Sequence, residues 1–575
     1  MLSLITGILY PYILLTVLLT AVYLCGEAKN YPASLTVSWL DIAGIAVWLL
    51  IVINILIKED GTNKSAQLAD LLLYLLMYVA ARCFFLHGHS AIRALLFVFT
   101  AIVFLEAVMG ILQFSGMISR TNTLFLVTGT MANPAVYANF IITLLPGPLL
   151  LLFTSIRKWQ RVTAGMIILL AVTALGLSEA RTAWVALIVG MGCLFVLRSP
   201  ENISRLSVIL KRPVVRYVAV VLFLCVVGFA GKQLLQFKQD STIGRWFVYK
   251  TTLRIIADHP FSGIGFDRFK IVFNDYQEQY FRQHPEDKAA ARLASHVTVA
   301  YNEFLQTWSE LGTVALLLLS GFLVKWLHIF NQLIRTSDIL GQIVYAYGLS
   351  VFVLCCFSYP FRSSTLVINV LLLVAIMAWK DQQIVFSLKV NPPVVKVLRW
   401  MLFVPCLLLA ASTLQYINHL GSWQTLTTIA RRKGFERVEA SYRQLYHQLE
   451  NEPQFLYTYG TELCLHEKYK EAIPVLTKAA LDFNYYDLYV RLGECYDRVG
   501  QKEAAERSYL KASFLVPNRF YPRYRLMKYY AANGASDKAV KWANTIIGMD
   551  IKIPSAQIDS IKLKASALIQ LHGKG

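Results

Sequence analysis

Charge, and negative charge above all, is what this chain has little of. Its 575 residues carry 35 Asp and Glu against 55 Lys and Arg, and only 16% are charged. A soluble domain runs at about a quarter charged, so water is excluded as the solvent for most of this chain. The hydrophobic share is 56% and the mean hydropathy is +0.50, which assigns that role to lipid. Metal-binding patterns are missing too. The nine cysteines include no Cys-x-x-Cys and no Cys/His spacing, so neither a zinc site nor a redox pair is expected, and Cys464 and Cys495 are not expected to form a disulfide. No nucleic-acid motif accompanies the formal charge of +20, and nucleic acid is not an expected partner. The excess has two remaining readings: basic loops on the cytoplasmic side of a membrane, or positive charge that meets an anionic lipid-linked substrate. The N-terminus is apolar without a basic leader or a small-residue cleavage site. It reads as a first membrane segment, not a cleaved signal.

Apolar runs near the roughly 17–25 residues that cross a bilayer recur at 5–24, 40–57, 70–86, 93–114, 136–154, 162–178, 182–197, 214–232, 303–324, 340–358, 363–379 and 399–416. The expected fold is therefore all-α: a polytopic bundle of about twelve spans over residues 1–416. Three basic clusters set its orientation: Arg157, Lys158 and Arg161; Arg198, Arg205, Lys211, Arg212 and Arg216; and Lys380, Lys389, Lys396 and Arg399. They are separated by even numbers of spans, so all face one side, the cytoplasm. The long hydrophilic stretch 233–302 and everything after residue 416 then lie outside.

Residues 417–575 repeat with a period of about 34, the spacing of tetratricopeptide repeats. Leu492, Gly493, Tyr496, Ala505, Tyr509, Ala512 and Pro517 form the clearest unit. Gly460, Ala472, Leu476 and Ala479 precede it in phase, and Leu526, Tyr530, Ala539 and Ala543 follow. A soluble helical solenoid is expected, serving either to bind a protein partner or as scaffold.

Four elements carry candidate chemistry. Gly129-Thr130-Met131-Ala132-Asn133-Pro134 is a turn before a span. Ser178-Glu179-Ala180-Arg181 joins two spans on the outer side; an arginine there is either a functional charge near membrane depth or one that snorkels to headgroups beside Glu179. Trp246 to Ile256 reads as helix, after Gly244-Arg245 and before the Pro/Gly turn Asp258 to Phe266. Along it Arg245, Lys250 and Arg254 are expected to share roughly one face, suited to a phosphate or to a headgroup layer. Tyr301-Asn302-Glu303-Phe304-Leu305-Gln306, with Glu310-Leu311-Gly312 after it, marks re-entry into the membrane. Asn302 and Gln306 lie one turn apart, for substrate positioning or for capping and inter-helix hydrogen bonds.

In chain order, these elements resemble the O-antigen ligase/polymerase superfamily of bacterial envelope glycosyltransferases over roughly residues 100–380. Gly129 to Pro134 correspond to a Gly-Thr-x-x-Asn-Pro-like turn. Ser178 to Arg181 correspond to a Ser-x-Ser-Arg-like element, with Ala180 in place of the second serine. Arg245 to Gly265, with Tyr249 at the aromatic position, correspond to an Arg-x-x-x-(Trp/Tyr) helix closed by Pro-x-x-Gly-x-Gly. Asn302 to Gly312 correspond to a His-Asn-x-(Tyr/Phe)-Leu-Gln element followed by Gly, except that Tyr301 stands where the family has histidine.

The resemblance implies metal-independent, cofactor-free transfer of a glycan from a polyprenyl diphosphate carrier to a glycan, lipid or protein hydroxyl, at the bacterial inner membrane with the long loop and repeats in the periplasm. It gives Arg181 and Arg245, with Arg254, the leaving diphosphate, and Asn133, Asn302 and Gln306 the positioning of substrate. With Tyr301 in the histidine position, His296, Glu303 and Tyr301 itself are the candidates for the base. Ligation and polymerisation both remain open. So does a non-catalytic reading, in which a membrane scaffold or transporter component recruits partners through its repeats.

Overall fold

A computed structural model describes residues 34–58, 64–85, 88–198 (without 121, 123 and 132), 239–334, 338–389 (without 382) and 392–572. Among them, nine helices are long and apolar enough to cross a membrane, and Ser364–Lys380 is a shorter apolar one. These ten correspond to ten of the expected runs. The other two, 5–24 and 214–232, lie outside the described residues, as do Arg205, Lys211, Arg212 and Arg216.

The bundle consists of α1 (Trp39–Ile57), α2 (Lys64–Phe85), α3 (His89–Phe114), α4 (Pro134–Leu144) running on into α5 (Pro146–Thr154), α6 (Lys158–Leu177) and α7 (Arg181–Arg198). After the long loop come α11 (Glu303–Ile334), α12 (Ile339–Phe357) and α13 (Ser364–Lys380). Lipid offers no hydrophobic gain on helix contact, so packing and polar pairs must hold such helices together. Ser350 Oγ donates to Ala186 O at 2.7 Å across α12 and α7, and the missing side chain of Gly190 admits that serine. Asn139 Nδ2 donates to Ser358 Oγ at 3.1 Å, and Asn369 Nδ2 to Thr143 Oγ1 at 3.0 Å.

One end of the bundle is basic. There Arg198 lies 4.5 Å over the Phe153 ring, Lys380 meets Asp338 at 2.9 Å and Lys325 meets Asp381 at 3.0 Å. At the same end, β1 (Ser34–Ser38) pairs antiparallel with β2 (Ile384–Lys389), Val37 opposite Phe386. The buried pair Arg82–Asp41 sits beneath the ribbon at 2.9 Å, with Arg82 also donating to Thr36 O.

The opposite end carries the long loop, folded as α8 (Gln239–Asp258), α9 (Phe269–Gln283) and α10 (Lys288–Leu293). The helix there begins earlier than the expected Trp246. The last membrane helix, α14 (Pro392–Lys433), runs unbroken through residue 416, so no linker separates bundle from tail. Beyond it come α15 (Glu439–Leu449) and three helix pairs: α16 (Pro453–Leu465) with α17 (Tyr469–Ala480), α18 (Tyr486–Arg498) with α19 (Lys502–Leu515), and α20 (Phe520–Ala532) with α21 (Ser536–Ile547), closed by α22 (Ala556–His572). Gly460 admits Leu476 in the first pair, and Gly493 admits Tyr509 at the same place in the second. Ala472, Ala479, Ala505, Ala512, Ala539 and Ala543 are fully buried between the helices, and Cys464 and Cys495 are buried free thiols.

The tail is docked on the long loop. Arg268 meets Asp482 at 2.7 Å, and Lys511 meets Asp275 at 2.8 Å. Asn484 Nδ2 donates to Ile271 O at 3.0 Å, and Gln277 Nε2 to Leu515 O at 2.7 Å. Loop and stack therefore share one end of the bundle.

Candidate functional site

The site is built on a break in a helix. Gly312 interrupts α11 with φ 81°, a conformation open to glycine. Carbonyls above the break lose their helical partners and must find others. The Pro/Gly turn supplies them: Ile264 N donates to Ser309 O and Gly265 N to Glu310 O, both at 2.9 Å, while Thr313 N donates to Pro260 O at 2.9 Å. Gly263 also has positive φ, and a side chain there would run into the Glu310 carbonyl. Lys58 Nζ at Gly263 O (2.9 Å) and Asn54 Oδ1 at Phe266 N (2.8 Å) fix the turn to α1.

A buried charge cluster locks the same region from below. Arg362, in the turn between α12 and α13, donates to Asp267 at 2.7 Å and to Glu310 at 2.6 Å. Glu310 also accepts from Gln306 Nε2 at 3.1 Å, and Gln306 Oε1 accepts from Ala300 N at 2.9 Å. Glu303, 4% exposed, accepts from Phe361 N at 2.8 Å. Gln306 and Glu303 thus hold the backbone of the site. Sequence reading missed Arg362, although its place between two spans was a usable signal.

Arg245 stands differently. Its guanidinium lies 5.1 Å over the Tyr301 ring and reaches the Phe357 carbonyl at 3.5 Å. No carboxylate pairs with it among the described residues. Tyr301 is held with φ 54°, and its ring meets Tyr359 edge-on at 5.8 Å. The Asn133 side chain bonds to Tyr359, whose hydroxyl is pushed up to about 12 by burial and by neighbouring Tyr301; it is a neutral phenol at pH 7. Asn133 Oδ1 also caps α4 through Ala135 N at 2.8 Å. Asn302 Oδ1 caps α11 through Leu305 N at 3.0 Å, and its Nδ2 donates to Cys356 O at 3.0 Å. Asn133, Arg245, Tyr301 and Asn302 therefore meet around the segment Cys356–Tyr359.

Two turns finish the rim. Residues 128–131 hang on buried polar groups of α3: Thr128 N and Gly129 N donate to Gln113 Oε1 at 3.0 and 2.8 Å, and Thr130 Oγ1 donates to Glu106 at 2.5 Å. Between α6 and α7, Glu179 adopts φ 55° and Ser178 Oγ donates to Leu175 O at 2.7 Å, so Arg181 opens α7. The antiparallel pairing of α7 and α12, seen in Leu197 with Gln342 and Ala186 with Ser350, puts Arg181 at the same end of the bundle as Phe357, whose carbonyl Arg245 reaches.

Arg254 and His296 lie elsewhere. At about 100° per residue, Arg254 is half a turn out of phase with Arg245. It faces the Tyr276–Asp258 pair, and Lys250 lies over Tyr280 at 5.8 Å, so the expected shared face does not form. His296 packs against Phe483 and Tyr485 of the tail at 6.2 and 5.7 Å between rings. Burial there holds its pKa below the ordinary value. Among the described residues, no group of three or more His, Cys, Asp or Glu gathers as for a metal ion.

Residues 140–320 match the family model described as O-antigen ligase. The match contains Arg181, Arg245, Tyr301 and Asn302, and ends before Arg362. It supports a glycan-transfer function in a membrane protein. No curated protein matches the chain.

Proposed function

We propose that the chain transfers a glycan from a polyprenyl diphosphate carrier to an acceptor hydroxyl, at the bundle end where α8 meets Cys356–Tyr359. The acceptor oxygen bonds to the anomeric carbon, the bond from that carbon to the diphosphate oxygen breaks, the acceptor's proton passes to the departing diphosphate, and polyprenyl diphosphate leaves. The observation that carries this reading is Arg245. It is a guanidinium at the membrane end with an aromatic ring and a carbonyl for company and, among the described residues, no carboxylate. Arg362, by contrast, is neutralised by two carboxylates.

Glycosyl transfer passes through an oxocarbenium-like transition state, with negative charge growing on the leaving group. Two cations there contribute more than a strong base, which fits a site whose histidine position is Tyr301. Arg245 and Arg181 take the diphosphate without a metal. Tyr301 and Tyr359 offer neutral hydroxyls to the acceptor side, and Asn133 and Asn302 hold the frame. His296 is engaged by the tail and Glu303 by Phe361 N, so neither is the base in this scheme. Exposed Ile243, Trp246, Leu253 and Phe261 on and after α8 suit the membrane interface, where a lipid-linked donor presents its diphosphate.

The basic opposite end fits the cytoplasmic face of a bacterial inner membrane, with loop and tail in the periplasm. The tail pairs are proposed as tetratricopeptide-type repeats, part of one unit with the loop. Ligation to a large acceptor is favoured over polymerisation because the tail is docked on the loop and could hold such an acceptor beside it. In a reconstituted assay with lipid-linked glycan, Arg245→Ala and Arg181→Ala should each abolish transfer while the protein still folds. Retained transfer in both would remove the diphosphate assignment.

A further inference from the structure

Away from Arg245, a cavity of about 690 Å3 opens between loop helices α9 and α10 and the tail helices α19 to α21. That volume lies in the range of about 300–1,000 Å3 typical of small-molecule sites. Its lining is basic. Arg282 and Lys538 are matched by Glu278 and Glu506, but Lys288, Arg292, Arg523 and Lys541 form no ion pair among the described residues, and Asp550 is the one carboxylate on the wall. Arg523 is the sharpest of these. Its Nε is buried without a hydrogen-bond partner, and burial with no counter-charge pulls its pKa down. A guanidinium nitrogen buried without a partner beside an open cavity fits a partner from outside.

The rest of the wall mixes aromatic and amide groups with aliphatic ones such as Leu510, Pro517 and Met549. Trp542 and Phe514 meet edge-on at 5.8 Å, and both stay partly exposed to the cavity. Asn518 and Asn544 stand beside them. Flat apolar rings next to fixed cations and amides match a ligand with sugar-like faces and anionic substituents. A lipid tail or a neutral sugar would leave four cations unpaired.

We propose that this cavity is a binding site for an acidic oligosaccharide, one bearing carboxylate or phosphate groups, held jointly by loop and tail. The choice of saccharide over acidic peptide rests on the glycan-transfer reading; the demand for an anion does not. Binding the ligand across both elements also ties the tail to the loop that carries Arg245.

The test is calorimetric titration of the full-length protein in nanodiscs with tetragalacturonate, a 6-phosphorylated maltotetraose, maltotetraose and tetraglutamate. Tetragalacturonate or the phosphorylated sugar should bind at least about tenfold more tightly than maltotetraose, and whichever binds better identifies the anion. Lys288→Gln with Lys541→Gln, both at the surface, should weaken that binding by about tenfold or more, and Arg523→Gln should abolish it. A matching thermal unfolding midpoint separates lost binding from lost fold. Equal binding of maltotetraose, no binding of either acidic sugar, or unchanged affinity in the variants overturns the proposal. Tetraglutamate binding as tightly as the acidic sugars overturns it in favour of an acidic polypeptide. Arg245→Ala should keep this binding while losing transfer, so failure of the transfer reading and failure of this one are told apart.

Discussion

Gly312→Ala is the most informative single change in the membrane domain. At φ 81° a side chain is strained by about 1–2 kcal/mol. The new methyl would also occupy the place of the Phe261 carbonyl, which is backbone and cannot swing away. Relief requires the Pro/Gly turn to leave α11. That breaks the bonds of Ile264, Gly265 and Thr313 N together with that of Thr313 Oγ1 to Pro260 O at 2.7 Å. At about 0.5–1.5 kcal/mol each, these four and the strain come to on the order of 3–8 kcal/mol. A domain is stable by about 5–15 kcal/mol, so the turn should open while the bundle stays folded. Hydrogen exchange in residues 258–268 should rise by two or more orders of magnitude, roughly, and glycan transfer should fall with it because α8 loses its anchor. Gly321→Ala in the same helix is the control: a side chain there meets nothing within 4 Å. Wild-type exchange and transfer in Gly312→Ala would refute the docking argument.

Three further outcomes follow from the same geometry. Arg362→Met strands the buried Glu310 carboxylate, while Asp267 keeps Lys270, and should destabilise by about 3–5 kcal/mol, read as a lowered unfolding midpoint; a shift of a degree or less would contradict its role as the lock. Asn302→Ala removes the cap of α11 and the tie to Cys356 O, costing about 0.5–2 kcal/mol, and should reduce transfer with little change in donor binding; an effect on donor affinity alone would move Asn302 to the diphosphate. His296 is kept neutral by burial, with a folded pKa below the ordinary value of about 6.5. The tail–loop contact is therefore complete above that pH and weakens as pH falls through the lower folded value. Exchange in 270–297 should rise as pH falls below about 6.5, and His296→Phe should flatten the profile; an unchanged profile in that variant would assign the pH response elsewhere.

The membrane bundle was legible because lipid imposes one rule on every span, and apolar length alone reveals it. The repeat period was legible because Gly460 and Gly493 are forced by the side chains they admit. Local motifs also showed where the chain turns: Asn133, Gly263, Asn302 and Gly312 all sit at caps or breaks. What stayed hidden depends on contacts between distant segments. Arg362 reads as an ordinary charge between two spans until Asp267 and Glu310 are brought to it. His296 is close to Tyr301 in sequence, yet the tail takes it away. Arg245 and Arg254 were assigned one helical face on spacing alone, and the turn of the helix separates them. The groove below Arg523 has no motif, since its walls come from two regions far apart in the chain.

The central claim is that Arg245 is a cation kept free for the leaving diphosphate. Its most direct test is single-turnover glycan transfer from a polyprenyl diphosphate donor by purified Arg245→Ala and Arg245→Lys in nanodiscs, with circular dichroism to confirm folding. Removing one such electrostatic group typically lowers the rate by about 100–1,000-fold. The account predicts a loss of that size in Arg245→Ala, with partial recovery in Arg245→Lys, which restores charge but not the two-pronged contact. Wild-type turnover in a folded Arg245→Ala protein would contradict it.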